Sequence, residues 1–344
     1  MKKINIIFTQ GSTPKPPKGG LNSHLTPTLS KGEGEDFVFV FKPLLGVWGL
    51  VIVLLLNSCK EVGPVVPWGK NGNATFTTYI ESPVQQAQSK NALIEEVTGV
   101  SCVNCPAGHI ILDTLINQNN KRVIGVTYHL GAAMVPILED APPGTLQNMT
   151  STDAQSIASY FSFPGSVPAG AVDRISHAIT QPYGSPGLWD IPQNWSGYVS
   201  TQLAETTPVN LNLSAIYNRS GSTRQISIAV GLHYTATQSD TDKLSIFLTE
   251  DSIVTAQLLA NGADDTFYVH DHIMRAAVTN ALGDIIAVPS FVAGRVDSLT
   301  YTYTIPAASA IWNPAHMNVV AFVHKYQNGR SDILQSQIVQ LSPH

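Results

Sequence analysis

Two cysteines three positions apart, Cys102 and Cys105, stand between a segment with strand character and a segment with helical character. Residues 92–98 (ALIEEVT) predict a strand. After Cys105 the apolar residues recur at helical spacing through residue 118, and residues 122–128 (RVIGVTY) predict the next strand. A C-x-x-C at a strand–helix junction indicates a thioredoxin-like fold more strongly than half of a zinc site.

Two residues outside the pair agree with this prediction. Glu96 lies six residues before Cys102, the spacing at which thioredoxins carry a buried acid beneath the disulfide. The segment FPGSVP resembles the thioredoxin loop that places a cis-proline against the active-site sulfurs, which makes Pro168 the candidate cis-proline.

Two later segments complete the expected domain. Residues 169–174 (AGAVDR) are expected to extend after the proline loop, as this fold requires. Residues 193–205 have the apolar spacing of a closing helix. We therefore predict a thioredoxin-like α/β domain over residues 91–206.

The position of the cysteine pair predicts its chemistry. A cysteine at a helix N-terminus faces unpaired N–H groups and the positive end of the helix dipole, so the thiol pKa of Cys102 is expected to be lowered. Cys102 would be the exposed nucleophile and Cys105 the buried resolving thiol. Glu96 would accept a proton during resolution, and Pro168 would shape the groove for a substrate chain.

Two other interpretations of the pair stay open. In an oxidising compartment it can be a permanent disulfide, and Ser101, where redox-active thioredoxins usually carry tryptophan, favours that interpretation. His109 lies one helical turn after Cys105, so Cys102, Cys105 and His109 are candidate ligands for a soft ion such as Cu(I), with His129 as a further donor. A lone helical histidine is more often a surface residue, so we expect no metal and no other cofactor.

The N-terminal part of the chain predicts export. Residues 44–56 (LLGVWGLVIVLLL) form an apolar run of signal-peptide length, and the following Asn57-Ser58-Cys59 completes a sequence similar to a lipobox. We expect Cys59 to carry a lipid that anchors the protein to a membrane. We assign residues 1–58 to a disordered extension and lipoprotein signal peptide, and residues 59–90 to a tether and lead-in.

Residues 1–40 do not resemble the start of a signal peptide. They are rich in Gly, Pro, Ser and Thr and show no periodicity. We therefore expect translation to begin just before Phe39 rather than at Met1.

From residue 207 the period of the sequence changes to two. The segments that alternate or are rich in β-branched residues are 209–217, 224–236, 243–251, 298–305, 318–326 and 336–341. Turn residues separate them, and Asn328-Gly329 is a hairpin signal. We predict an antiparallel β-sandwich domain over residues 207–344, so the fold class is α/β followed by all-β.

One segment of this region is unusual. His270 and His272 would share one face of a strand, a spacing that suits a metal. No third ligand is near in sequence, so we interpret both histidines as part of a polar cluster with Asp271 and Arg275 in a turn.

The composition excludes one class of partner. Apolar residues make up 43% of the 344 residues and charged residues 12%, which is enough apolar material for buried cores. The net charge is −5 and there is no long basic run, so we do not expect nucleic acid as a partner.

Several motifs together resemble a known family. The segments EEVTG (95–99), CVNCPAGH (102–109), LTED (248–251), VHDHIMRA (269–276) and VVAFV (319–323) resemble, in this order, the outer membrane protein-28-related lipoproteins of Bacteroidota. The resemblance covers residue 91 to the C-terminus. It implies an outer-membrane lipoprotein, on the periplasmic or the cell-surface face, with a thioredoxin-like domain followed by an all-β domain.

The sequence leaves three functions open. The one we favour is a non-enzymatic envelope lipoprotein that binds or adheres to an unidentified protein or glycan. The second is a membrane-tethered thiol–disulfide oxidoreductase that uses Cys102 and Cys105. The third is a periplasmic protein that handles copper or another soft metal.

Overall fold

The computed structural model describes residues 74–130, 147–177, 187–239, 241–286, 291–326 and 331–343. Its helices are α1 (Cys105–Gln118), α2 (Thr152–Tyr160) and α3 (Trp195–Ala204). Its strands are β1 (Ala74–Ile80), β2 (Ala92–Thr98), β3 (Val123–His129), β4 (Ala169–Val172), β5 (Val209–Ser220), β6 (Thr223–Tyr234), β7 (Asp242–Glu250), β8 (Ile253–Leu258), β9 (Asp264–His270), β10 (Ile273–Ala277), β11 (Asp284–Ile286), β12 (Arg295–Thr304), β13 (Met317–Lys325), β14 (Ile333–Gln340) and β15 (Ser342–Pro343). The described chain is therefore mostly β, with few helices.

The strands form two large sheets and one hairpin. A five-stranded sheet has the order β1-β12-β6-β5-β15, and an eight-stranded sheet has the order β14-β13-β7-β10-β3-β2-β4, with β11 paired to β7. Strand β2 is parallel to β3 and antiparallel to β4, so the larger sheet is mixed. Strands β8 and β9 form a separate two-stranded sheet, called here the β8–β9 hairpin.

The main core lies between the two large sheets. Alternate side chains of β5, β6 and β12 meet those of β7 and β13, and the cluster includes Leu211, Ile228, Leu248, Tyr301 and Val319. Period-two alternation produces this arrangement, since every second residue of each strand points to the facing sheet.

Helices α1 and α3 cover one face of β2, β3 and β4, and α2 covers the other face. Helix α1 buries Leu112, Leu115 and Ile116 with Trp195 and Val199 of α3. Helix α2 packs through Ala154, Ile157 and Ala158 into a second cluster. Because the apolar residues of each helix recur every three or four positions, each helix presents one buried face to the sheet.

The larger sheet contains strands from both sides of residue 206, where the sequence predicts a domain boundary. That boundary falls between α3 and β5, and it stays a prediction. Strand β3, before it, is parallel to β10, after it, where Ile273 pairs with Thr127 and the Thr127 N–H donates to the His272 carbonyl at 2.8 Å. Strands from both predicted domains therefore share one sheet.

The structure corrects two local predictions. Residues 169–174 are not extended throughout, because β4 ends at Val172 and the next two residues have φ of +49° and +52°. This left-handed backbone is held by buried contacts: the Asp173 carboxylate accepts from the Leu93 N–H, and Arg174 binds Glu95. His272, at φ +63°, follows β9 in a turn and so does not share a strand with His270.

Some predictions fall outside the described residues or were incomplete. Cys59, the apolar run at 44–56 and the Asn328-Gly329 turn lie outside the described residues. The sequence predicts no element at β1, α2, β8, β10 or β11, and it predicts a strand through His270 and His272 where β9 ends at His270. None of the described helices is long and apolar enough to span a membrane.

Candidate functional site: the cysteine turn and its buried acid

The two cysteines form a disulfide in the turn between β2 and α1. The Sγ atoms are 2.12 Å apart and the Cα atoms 5.4 Å apart. Cys105 is the first residue of α1 and has no exposed surface, whereas Cys102 is partly exposed. The predicted difference in exposure between the two cysteines is therefore confirmed.

The start of α1 differs in detail from the prediction. Asn104 is the N-cap, so Cys102 lies in the turn before the helix rather than on its first residue. The turn is closed by hydrogen bonds from the Cys102 N–H to the Gly99 carbonyl and from the Cys105 N–H to the Cys102 carbonyl. Pro106 fits the second helical position because first-turn N–H groups lack helical partners. The disulfide keeps the Cys102 sulfur beside the helix N-terminus.

The loop before β4 packs on the same helix. The Val167–Pro168 peptide bond is cis, which confirms the conformation expected at Pro168. A Cβ atom built on Gly108 would lie 3.0 Å from Pro168 Cβ and 2.8 Å from Glu96 Oε1. Gly108, one turn after Cys105, is therefore the residue that allows α1 to approach both groups.

Glu96 is a buried acid without a hydrogen-bond partner. Its side chain is fully buried, and neither carboxylate oxygen has a hydrogen-bond partner within the described structure. Burial, followed by the negative charge of Asp113, raises the pKa of this carboxyl well above its ordinary value. Glu96 thus lies against α1 at Gly108, one turn after Cys105.

His109 connects the helix to the β8–β9 hairpin. Its Nε2 is 2.8 Å from Thr98 Oγ1 and 4.0 Å from Glu96 Oε1, and its Nδ1 is 2.9 Å from the Tyr268 hydroxyl. Burial outweighs the charge of Asp113 and lowers the pKa of His109 to about 4. His109 is therefore neutral at neutral pH, with both ring nitrogens in hydrogen bonds.

Two further histidines pack behind His109. The ring centroid of His270 is 6.2 Å from that of His109 and 5.6 Å from that of His129. Burial is the main cause that lowers the pKa of His129 well below its ordinary value and that of His270 to about 3. Among the described residues, no group of three or more His, Cys, Asp or Glu side chains is arranged to hold a metal ion.

A small cleft leads from Glu96 to the surface. Its volume is about 30 Å³, enough for about two water molecules. It is lined by Glu96, His109, Leu112, Asp113, Thr127, Tyr268, Val269, Asp271 and His272. The cleft therefore gives the buried carboxyl a polar route to solvent.

A histidine held between two aspartates lines this cleft. His272 Nε2 is 3.3 Å from Asp113 Oδ1, and its Nδ1 is 3.4 Å from Asp251 Oδ1. Burial lowers the pKa of His272, but the hydrogen bond with Asp113 and the charge of Asp251 outweigh burial, so the pKa is raised. The predicted polar cluster of His270, Asp271, His272 and Arg275 is instead divided, because Arg275 binds Glu250 elsewhere.

The β8–β9 hairpin is bound directly to the cysteine turn. The Gln257 side-chain amide donates to the Cys102 carbonyl at 3.1 Å and to the Gly99 carbonyl at 3.4 Å. The Leu258 N–H donates to the Val100 carbonyl at 2.8 Å. Sequence reasoning missed Gln257 and Tyr268 as site residues. The local signal of this strand is the run of β-branched and aromatic residues 266–269.

The comparisons with known proteins agree with the predicted family. A family model described as outer membrane protein Omp28 matches residues 154–343. No curated protein sequence matches the chain.

The fold resembles that of a solved structure. HBP35 of Porphyromonas gingivalis is similar, with a TM-score of 0.54 and 17% sequence identity over 75% of this chain and 77% of that chain. A structural-genomics protein of Agrobacterium tumefaciens has a TM-score of 0.40 and 14% identity over 76% of this chain and 100% of its own. At 17% identity, the likeness to HBP35 shows a similar fold.

Proposed function

The chain belongs to the outer membrane protein Omp28 family, and we propose that it is a lipid-anchored thiol–disulfide exchange protein that uses Cys102 and Cys105. Family membership implies an outer-membrane location. The observation that carries the proposed activity is the fully buried Glu96, whose oxygens have no hydrogen-bond partner in the described structure, beneath the helix that begins at Cys105. A carboxyl that only stabilised the fold would be paired, because an unpaired buried carboxyl is costly.

The order of elements around this site supports a thioredoxin-like classification of residues 91–206. Strand β2 is followed by the cysteine turn, α1 and the parallel strand β3, and the cis-Pro168 loop leads into β4 beside β2. Each of these elements contributes one part of the candidate site. This arrangement favours a disulfide that takes part in exchange over one that only stabilises the turn.

The proposed reaction uses each residue in turn. An external dithiol first reduces the Cys102–Cys105 disulfide and is itself oxidised to a disulfide. The Cys102 thiolate then attacks a substrate disulfide, forms a mixed disulfide and releases the first substrate thiolate. Glu96 takes the proton of the Cys105 thiol, and the Cys105 thiolate attacks the Cys102 sulfur and releases the second substrate thiolate. Both released thiolates take protons from water, Glu96 returns its proton through the cleft, and Cys102 and Cys105 end as the disulfide.

Single cysteine variants test this function. In the full chain, Cys105→Ser should accumulate a mixed disulfide with 2-hydroxyethyl disulfide, and Cys102→Ser should not, because only Cys102 is partly exposed. Glu96→Gln should slow resolution of the mixed disulfide about 100-fold, the size of a general-base contribution. Exchange by the wild type no faster than by the double variant Cys102→Ser/Cys105→Ser would refute the function.

Lipid anchoring through Cys59 is part of the same proposal. The support is the lipobox-like sequence at residues 56–59 together with the family's location. Mass spectrometry of the mature N-terminus should find a diacylglycerol-modified Cys59, and Cys59→Ser should release the protein from the membrane fraction. An unmodified Cys59 in membrane-bound protein would contradict the anchor.

A binding or adhesion role for a protein or glycan is the second candidate. The observation that favours it is the exposed apolar edge at the end of β1, where Tyr79 and Ile80 are 52% and 63% exposed and Val84 lies nearby. Edge strands with exposed apolar side chains are frequent sites of association. Binding of the full chain to a panel of extracellular proteins and glycans, lost in Ile80→Ser/Val84→Ser, would support it, and an equal signal from both proteins would not.

A further inference from the structure

Exposed apolar side chains lie on both sides of the cysteine turn. Val103, between the two cysteines, is 39% exposed, and Ile110 on α1 is 64% exposed. On the β8–β9 hairpin, Val254, Phe267 and Val269 are 36%, 65% and 50% exposed. We name these five residues the apolar face, and we propose that it docks an apolar stretch of a polypeptide and so selects protein disulfides as substrates.

The two parts of the apolar face belong to one surface. Ile110 is one turn before Asp113 on α1, and Asp113 lines the cleft opposite Val269. Val254 pairs with Val269 across the hairpin, and Phe267 is two residues before Val269 on the same side of β9. Gln257 donates to the Cys102 carbonyl, which ties the hairpin that carries Val254, Phe267 and Val269 to the cysteine turn.

The charges around the apolar face favour one class of substrate. Residues 99–118 and 251–274 contain no lysine or arginine, and their acidic residues are Asp113, Asp251, Asp264, Asp265 and Asp271. Glutathione disulfide is anionic, and these segments offer no lysine or arginine to attract it. A polypeptide segment with apolar side chains and neutral or basic flanks is complementary in both polarity and charge.

The apolar face also has the composition of a peptide-binding surface. Phe267 offers a large exposed ring as a central anchor, and the smaller aliphatic side chains around it can exclude water from a bound segment. Such exposed apolar side chains around a reactive group indicate a partner that covers them. This inference rests on the proposed exchange function, because the occupant is the polypeptide that carries the disulfide.

A substrate comparison in the full chain tests the proposal. The probes are a disulfide peptide flanked by Leu, Phe and Lys, the same peptide with Glu in place of Lys, and 2-hydroxyethyl disulfide. In Phe267→Ser/Val254→Ser, the ratio of kcat/KM for the basic apolar peptide to that for 2-hydroxyethyl disulfide should fall about tenfold, since two partly buried apolar contacts are lost. The matched control Ile216→Ser/Ile311→Ser removes two exposed apolar side chains elsewhere and should keep the wild-type ratio.

The outcomes separate this proposal from the proposed function. An unchanged ratio in Phe267→Ser/Val254→Ser, or no preference of the wild type for the basic over the acidic peptide, would overturn the docking surface. No exchange with 2-hydroxyethyl disulfide would instead refute the exchange function. In that case binding of the labelled peptide with Ser in place of Cys, measured by anisotropy, still decides: binding that weakens in the variant supports the apolar face, and absence of binding overturns it.

Discussion

Two adjacent glutamates on β2 have opposite environments. Glu95 binds Arg174 through both carboxylate oxygens at 2.6 Å and accepts from the Tyr128 hydroxyl at 2.5 Å, while Glu96 has no hydrogen-bond partner in the described structure. Successive side chains of a strand point to opposite faces, so the two carboxyls lie on opposite sides of the sheet. The paired Glu95 contributes to the fold, whereas the unpaired Glu96 is the group on which the proposed exchange function rests.

Replacement of Glu95 should destabilise the fold strongly. Glu95→Gln removes the only ion-pair partner described for Arg174, whose charge would then stay buried without compensation. The expected loss is about 3–5 kcal/mol in the free energy of unfolding, measured with chemical denaturant. A loss below about 1 kcal/mol would mean that the pair contributes little beyond its packing.

Glu96→Gln should remove a pH dependence of the free energy of unfolding. The folded-state pKa of Glu96 is raised above its unfolded value near 4.5, so the folded state binds more protons than the unfolded state in the interval between the two pKa values. The wild-type free energy of unfolding therefore falls as pH rises through that interval, and Glu96→Gln should not show this fall. Denaturation curves of both proteins from pH 4 upward test the sign, and parallel curves would contradict the raised pKa.

At the scale of elements, the contact of α1 with the Pro168 loop depends on a glycine. Gly108→Ala would place a Cβ atom 2.8 Å from Glu96 Oε1 and 3.0 Å from Pro168 Cβ, so α1 must shift. We expect a loss of about 1–3 kcal/mol in unfolding free energy and slower disulfide exchange. The matched control is Gly197→Ala on α3, which has open space at its Cβ and should gain about 0.5–1 kcal/mol. A gain at both positions would show that α1 adjusts without cost.

The β8–β9 hairpin should hold the cysteine turn in place. Gln257→Ala leaves the Gly99 and Cys102 carbonyls without this donor, with an expected loss of about 1–3 kcal/mol. Amide hydrogen exchange of residues 99–105 should accelerate. It should stay unchanged in Gln238→Ala, which removes a side-chain amide that donates to the neighbouring Thr237 carbonyl. Equal protection of the turn in both variants would contradict the role of Gln257.

The sequence predicted elements whose signal is local and missed those whose partners are distant. Strand β2, α1 and β3 follow from periodicity, and Glu96 and Pro168 follow from their spacing to the cysteines. Helix α2 has a local signal as well, the Ser151 N-cap that accepts from the Asp153 N–H, but its nine residues carry few apolar positions and give a weak periodicity. The contact of Gln257 with Cys102 joins residues 155 positions apart, and no periodicity in either segment encodes such a pairing.

At the scale of the whole molecule, the described sheets and cores join the two predicted domains. Arg174, bound to Glu95 on β2, lies between the rings of Phe161 and Phe322, and Phe322 belongs to β13. Phe322→Ala should cost about 3–5 kcal/mol and accelerate amide exchange in β2 and β3 as well as in β13. Unfolding should remain one transition, and two separate transitions would show that the shared sheet does not couple the domains.

The most direct test of the exchange function is the reduction potential of the Cys102–Cys105 pair in the full chain, with the pKa of Cys102 obtained from the pH dependence of its alkylation. We predict a potential above about −250 mV and a Cys102 thiol pKa well below the ordinary value of about 8.5, because the sulfur lies at the N-terminus of α1. A potential below about −300 mV, with thiols that resist alkylation until the protein unfolds, would identify a structural disulfide and contradict the proposed function.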